Sequence, residues 1–198
     1  MSGLEGRGVV WTEERRERSD QSDEGRRRLE APWKAVGDSL SDVTTLAVPT
    51  AEDMQRLGVR LGGLLRAGDL LVLTGDLGAG KTTLTQGIGE GLKVRGPITS
   101  PTFVIARVHP SPAGGPGLVH VDAYRLGGFA ELDDLDLDAS LEDSVTIVEW
   151  GEGLAEGLAE ERLEVLITRS ADGSTEERLV RFTPVGDRWS DLHDHLTG

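Results

Sequence analysis

The chain has 198 residues, enough for one domain with a sizeable core and some excess, and contains no cysteine, which removes disulfides, thiolate metal sites and cysteine nucleophiles. Its formal charge of −14 at pH 7 argues against a broad basic face for sequence-independent binding of nucleic acid, so the large partners expected are proteins. With no apolar leader and no run long enough to span a bilayer, the expectation is a soluble, cytoplasmic protein without membrane contact.

Residues 1–42 mix eight basic with ten acidic side chains, and their apolar residues are sparse and without period. Such a segment cannot bury enough surface to offset its ordering entropy, so it reads as a disordered or loosely structured extension. Trp11 and Trp33 stand out in it, and docking of either tryptophan onto the body is the sharper alternative.

A folded domain is expected over 43–184. Thr44 to Val48 forms a short strand, and Thr50 caps a helix with Asp53 in the capping-box position. Met54, Leu57, Leu61, Leu64 and Leu65 recur at helical spacing as core packing, with Gly68 closing the helix. Leu70 to Thr74 (LLVLT) then reads as a buried strand running into TGDLGAGKTTL.

That stretch fits the phosphate-loop pattern G-x-x-x-x-G-K-[ST], with Gly75, Gly80, Lys81 and Thr82 at the fixed positions. Gly75, Gly78 and Gly80 free the backbone to turn successive N–H groups inward on an anion, and a helix starting near Gly80 aims its positive end there. The loop residues Asp76, Leu77, Ala79 and Thr83 complete the expected cradle. Lys81 would reach the β and γ phosphates, and the Thr82 hydroxyl would hold Mg²⁺. The helix from Lys81 to Leu92 carries Gly87, Gly89 and Gly91, which points to close packing by a neighbour.

Ile98 to Phe103 (ITSPTF) places Ser100 and Thr102 on a loop-to-strand junction ahead of TFVIARV, and Pro110 to Gly117 connects this strand to Leu118–Val121 as a hairpin. Two apolar strands end in acids, at Asp122 and at Glu149, the latter followed by Trp150. One strand-end acid would contact Mg²⁺ and the other would polarise the attacking water; spacing does not assign the two. Phe129 to Asp143 reads as surface helix pieces or a partner-docking face. A short helix over Glu152–Glu161, strands at Leu163–Thr168 and Arg178–Phe182, and a tail over 185–198 without assigned function complete the chain.

The sequence contains no asparagine, so the Asn-Lys-x-Asp guanine-reading motif is impossible, and Ala123-Tyr124-Arg125 after Asp122 excludes a D-x-x-G switch. ATP is thereby favoured over GTP. Arg107 and Arg125 are the arginines nearest in sequence to the expected site. A small-molecule phosphotransferase and a nucleotide-gated interaction module are the rival readings.

GDLGAGKTT, SPTF, HVDAYRL from His120 to Leu126 and IVEW from Ile147 to Trp150 occur in one order, and together they resemble the TsaE (formerly YjeE) family of bacterial tRNA threonylcarbamoyladenosine synthesis. The resemblance covers about Thr44 to Phe182, with a stretched PSPAGGPG loop as its departure. It implies an α/β P-loop NTPase sandwich of three layers, a mixed central sheet with helices on both faces. It further implies slow ATP hydrolysis alone and action with a TsaD–TsaB complex, which holds the tRNA. By motif, Lys81 would bind phosphates, Thr82 and Glu149 would ligate Mg²⁺ and Asp122 would be the hydrolytic acid. Thr102 would belong to a switch-like loop, and Trp150 would lie near the nucleotide.

Overall fold

The computed structural model describes residues 33–35, 43–101, 105–126, 142–169 and 175–198. The strands are β1 (Lys34–Ala35), β2 (Thr44–Val48), β3 (Leu70–Thr74), β4 (Ala106–His109), β5 (Gly117–Asp122), β6 (Ser144–Glu149), β7 (Arg162–Arg169) and β8 (Arg178–Val185). They form one mixed sheet in the order β1-β2-β8-β7-β3-β6-β5-β4. β3 pairs parallel with both β6 and β7, and β5 pairs parallel with β6. The flanking pairs β4–β5, β7–β8, β2–β8 and β1–β2 are antiparallel. The three apolar runs LLVLT, LVHVD and VTIVE therefore lie inside the sheet, each with a strand on either side, where strands buried on both faces belong.

Alternation divides their side chains between two faces. Leu70, Val72, Val119, Val121 and Val148 cluster with Ala123 and Ala155 on one face. Leu71, Leu73, His120, Asp122, Ile147 and Glu149 take the other. The helix α2 (Lys81–Gly91) starts on this second face, where Thr82 bonds Glu149, and α1 (Ala51–Gly62) packs against α2. A 3₁₀ turn, Ala155–Gly157, covers part of the first face. The fold is α/β with a mixed central sheet, as the sequence leads one to expect.

Thr50 caps α1 as the sequence predicts: its Oγ1 accepts from the Asp53 N–H at 3.1 Å and donates to Asp53 Oδ2 at 2.7 Å. α1 ends at Gly62, short of Gly68, which serves a later turn at φ +90°. The glycines of α2 do meet a close neighbour. A Cβ on Gly87 would run into the Gln55 carbonyl oxygen and lie 2.9 Å from Gly58 Cα, and one on Gly91 would lie 3.0 Å from Gly62 Cα. The helices approach backbone to backbone, which sets α2 and the loop that precedes it.

Three expectations need correction. The segment beyond Val185 is not a loose tail: a 3₁₀ turn (Asp187–Trp189) leads into helix α3 (Leu192–Thr197), with Trp189, Leu192 and Leu196 buried. Arg188 pins the turn by donating to both oxygens of Asp69, at 2.9 and 2.7 Å, and to Leu64 O. Trp33, inside the stretch read as an extension, is buried and donates from Nε1 to Leu196 O at 2.8 Å. The expected helix over Glu152–Glu161 reduces to the Ala155–Gly157 turn, because Gly153 takes φ +78°. Thr102, Trp11 and most of Phe129–Asp143 lie outside the described residues. Among the described residues no helix is long and apolar enough to cross a membrane.

Candidate active site

The phosphate loop links the end of β3 to the start of α2, at the carboxyl edge of the parallel strands. Gly75, Gly78 and Gly80 all take positive φ, at +145°, +74° and +116°. At Gly75 there is also no room, since a Cβ would collide with the Ile167 carbonyl oxygen on β7. Gly80 is the N-cap of α2 and supplies no side-chain bond to its first turn. An uncapped helix start on a glycine loop leaves N–H groups and the positive dipole end to an anion.

Lys81 is 5% exposed and turns back into the loop, where Nζ donates to Gly75 O at 2.7 Å and to Asp76 O at 3.1 Å. The Trp150 ring covers this ammonium, with its centroid 3.9 Å from Nζ. Trp150 reaches that position through a left-handed backbone, φ +61°, while its N–H donates to Leu73 O at 3.0 Å. Tyr124 packs on the outer side of the same ring at 5.3 Å between centroids. Burial pushes the Lys81 pKa down, and the charges of Glu149, Asp122 and Asp76 act against that.

Asp122 and Glu149 are directly opposed in the β5–β6 register, so the two strand-end acids stand side by side. Thr82 Oγ1 donates to Glu149 Oε1 at 3.0 Å. Asp122 Oδ1 accepts from the Tyr124 N–H at 3.0 Å, and Ser100 Oγ lies 3.4 Å from Oδ2, which ties ITSP to the same edge. Of the predicted loop residues, Ala79 is buried, Asp76 and Leu77 are exposed, and Thr83 lines a cleft of about 170 Å³ with Thr50, Met54, Gly78 and Arg178.

The donor set fits a magnesium nucleotide. Thr82 and Glu149 are hard oxygen donors already in contact, the kind of pair Mg²⁺ takes when phosphates supply further ligands. The ammonium of Lys81 rests on neutral carbonyls that a phosphate would outbid.

Sequence reasoning did not find three residues. Arg169 donates to Gly78 O at 2.5 Å and Arg178 to Ala79 O at 3.2 Å, so arginines of β7 and β8 reach the loop. Long-range pairing of that hairpin with the loop leaves no local signature. The third is His120, whose Nε2 lies 2.9 Å from Glu149 Oε1.

The family model described as Threonylcarbamoyl adenosine biosynthesis protein TsaE matches residues 48–179. The chain belongs to the TsaE family. A relative in Streptomyces coelicolor, named tRNA threonylcarbamoyladenosine biosynthesis protein TsaE, is 64% identical over 139 residues, 69% of this chain and 94% of that protein. A TsaE of the same name in Bacillus subtilis is 38% identical over 147 residues, covering 74% and 89% of the two chains. The crystal structure of Bacillus subtilis YdiB is similar with a TM-score of 0.64 at 32% identity, covering 80% of this chain and 97% of that one. The TsaE family match leaves 180–198 outside it, the stretch that contains α3.

Proposed function

We propose that the protein is a Mg²⁺-dependent ATPase that supports formation of N6-threonylcarbamoyladenosine in tRNAs reading codons that start with adenine. It would act with a TsaD–TsaB complex, which binds the tRNA and carries out the transfer. The observation that carries the hydrolase reading is the placement of Lys81, Thr82, Asp122 and Glu149 at one strand edge, with Thr82 on Glu149 at 3.0 Å. The family membership supports the pathway, and the charge of −14 supports indirect engagement of tRNA.

In this reading the loop N–H groups and the α2 start hold the β phosphate, and Lys81 leaves Gly75 O and Asp76 O to hold the γ phosphate. Thr82 and Glu149 would hold Mg²⁺, which would supply charge neutralisation to the phosphates. Asp122 orients the attacking water and takes its proton. Trp150, pressed against Lys81, keeps bulk water from the ammonium and senses its displacement. Turnover is slow alone and rises when the partner completes the site around Thr102.

The test is phosphate release from ATP by the full chain, alone and with TsaD–TsaB, with and without Mg²⁺. Free phosphate that requires Mg²⁺ and rises with the partners is expected. Phosphate recovered on a small hydroxylated acceptor would establish the phosphotransferase instead, and nucleotide binding without any turnover would establish the gated module.

A further inference from the structure

His120 lies on β5, two residues before Asp122, and is fully buried. In the register it opposes Ile147, so its contact with Glu149 is a diagonal reach between same-face positions of neighbouring strands. An ionised carboxylate can only accept, so this contact requires the proton to sit on Nε2. Among the described residues Nδ1 has no hydrogen-bond partner. Buried polar atoms are almost always bonded, and an orphaned nitrogen is destabilising. A residue that served packing alone would do better as an apolar side chain; what the imidazole supplies here is the Nε2 donor. Both His120 and Thr82 donate to the same oxygen, Oε1, and Oε2 takes no hydrogen bond among the described residues.

We propose that His120 is a positioning residue for the metal site: its Nε2 proton pins Glu149 Oε1 against rotation and holds the carboxylate in its ligating orientation beside Thr82. The inference rests on the magnesium-nucleotide reading of the site. A donor behind a ligating carboxylate acts on metal affinity, and losing one costs typically 10- to 100-fold. Nucleotide contacts made without metal, through the loop N–H groups and Lys81, are left alone.

The experiment is calorimetric ADP binding to the full chain, in EDTA and across a Mg²⁺ titration, for wild type, His120→Leu, His120→Gln and His120→Asn. Wild type binds more tightly as Mg²⁺ is added. His120→Leu keeps the metal-free affinity but needs about tenfold or more Mg²⁺ for half of the tightening. Gln places an amide donor near the Nε2 position and restores the wild-type titration, whereas the shorter Asn does not. The Gln–Asn comparison carries the test by itself if the leucine variant does not fold. Equal Mg²⁺ titrations for wild type and His120→Leu, or for Gln and Asn, overturn the positioning role alone. ADP binding by wild type that ignores Mg²⁺ overturns the metal-site reading and this inference with it.

Discussion

Lys81 and Asp122 make separable contributions, and their surroundings say how to separate them. Lys81 is the loop's own cation, beside Arg169 and Arg178 from β7 and β8, and it is buried and braced by two carbonyls and an indole ring. Lys81→Ala should lower kcat/KM for ATP by about 10²-fold or more, the usual scale for losing a preorganised charge at a transferring phosphoryl group. Asp122 has a structural duty as well, because Oδ1 caps the Ala123–Arg125 turn through the Tyr124 N–H. Asp122→Asn preserves that cap and removes the proposed base, so ATP affinity should hold while kcat falls by about 10²–10⁴-fold. Unchanged kcat in Asp122→Asn would remove Asp122 from the chemistry. At this scale the sequence was informative where chemistry is local: G-x-x-x-x-G-K-T is contiguous, and each acid ends an apolar run. His120 was hidden because its partner is 29 positions away on a strand that only the sheet brings alongside.

The α1–α2 pair makes its own prediction. Gly58 packs on Gly87 and Gly62 on Gly91, so each helix presents bare backbone to the other. In an isolated helix Gly87→Ala would add about 1 kcal/mol of propensity. Here the methyl has the Gln55 carbonyl in its place, and overpacking of this kind costs about 1–3 kcal/mol. Chemical denaturation should show net destabilisation, with weaker ATP binding because α2 carries the loop. A stabilised Gly87→Ala protein would mean that the helices are not this close. The glycine spacing announced the close approach, but the partner glycines on α1 were hidden inside an ordinary apolar stripe. The short helix expected near Glu152 failed for the converse reason: its acidic and alanine residues favour a helix, and Gly153 at φ +78° breaks it.

On the scale of the whole molecule, the C-terminal segment is held by residues far from it in sequence. β1 adds to β2, Trp33 bonds Leu196, Thr44 Oγ1 meets His193 Nδ1 at 3.1 Å, and Arg60 donates to the carbonyls of His195 and Gly198. Trp189, Leu192 and Leu196 sit at helical spacing, a signal present in the sequence but too short to outweigh the polar residues around it. Trp33 stood out in the sequence as a residue that could dock onto the body, but its partner, 163 positions away, was not readable from it. Burying each of these large side chains contributes about 1.5–3 kcal/mol, so deleting 187–198 should cost several kcal/mol, visible as a lower urea midpoint. An unchanged midpoint would mean that α3 contributes nothing to the fold. The sheet, the loop and the paired acids of the body were legible because each rests on a contiguous apolar run or motif; the seating of the C-terminal segment was not, because it depends on contacts with residues more than a hundred positions away. The function turns on whether this fold couples ATP hydrolysis to tRNA modification. The direct measurement is multiple-turnover formation of N6-threonylcarbamoyladenosine on tRNA by TsaD–TsaB, with wild-type protein, with Asp122→Asn, and with neither. Repeated turnover that needs the wild-type protein and stalls with Asp122→Asn is predicted; equal turnover with wild type and with Asp122→Asn, or without the protein, would contradict it.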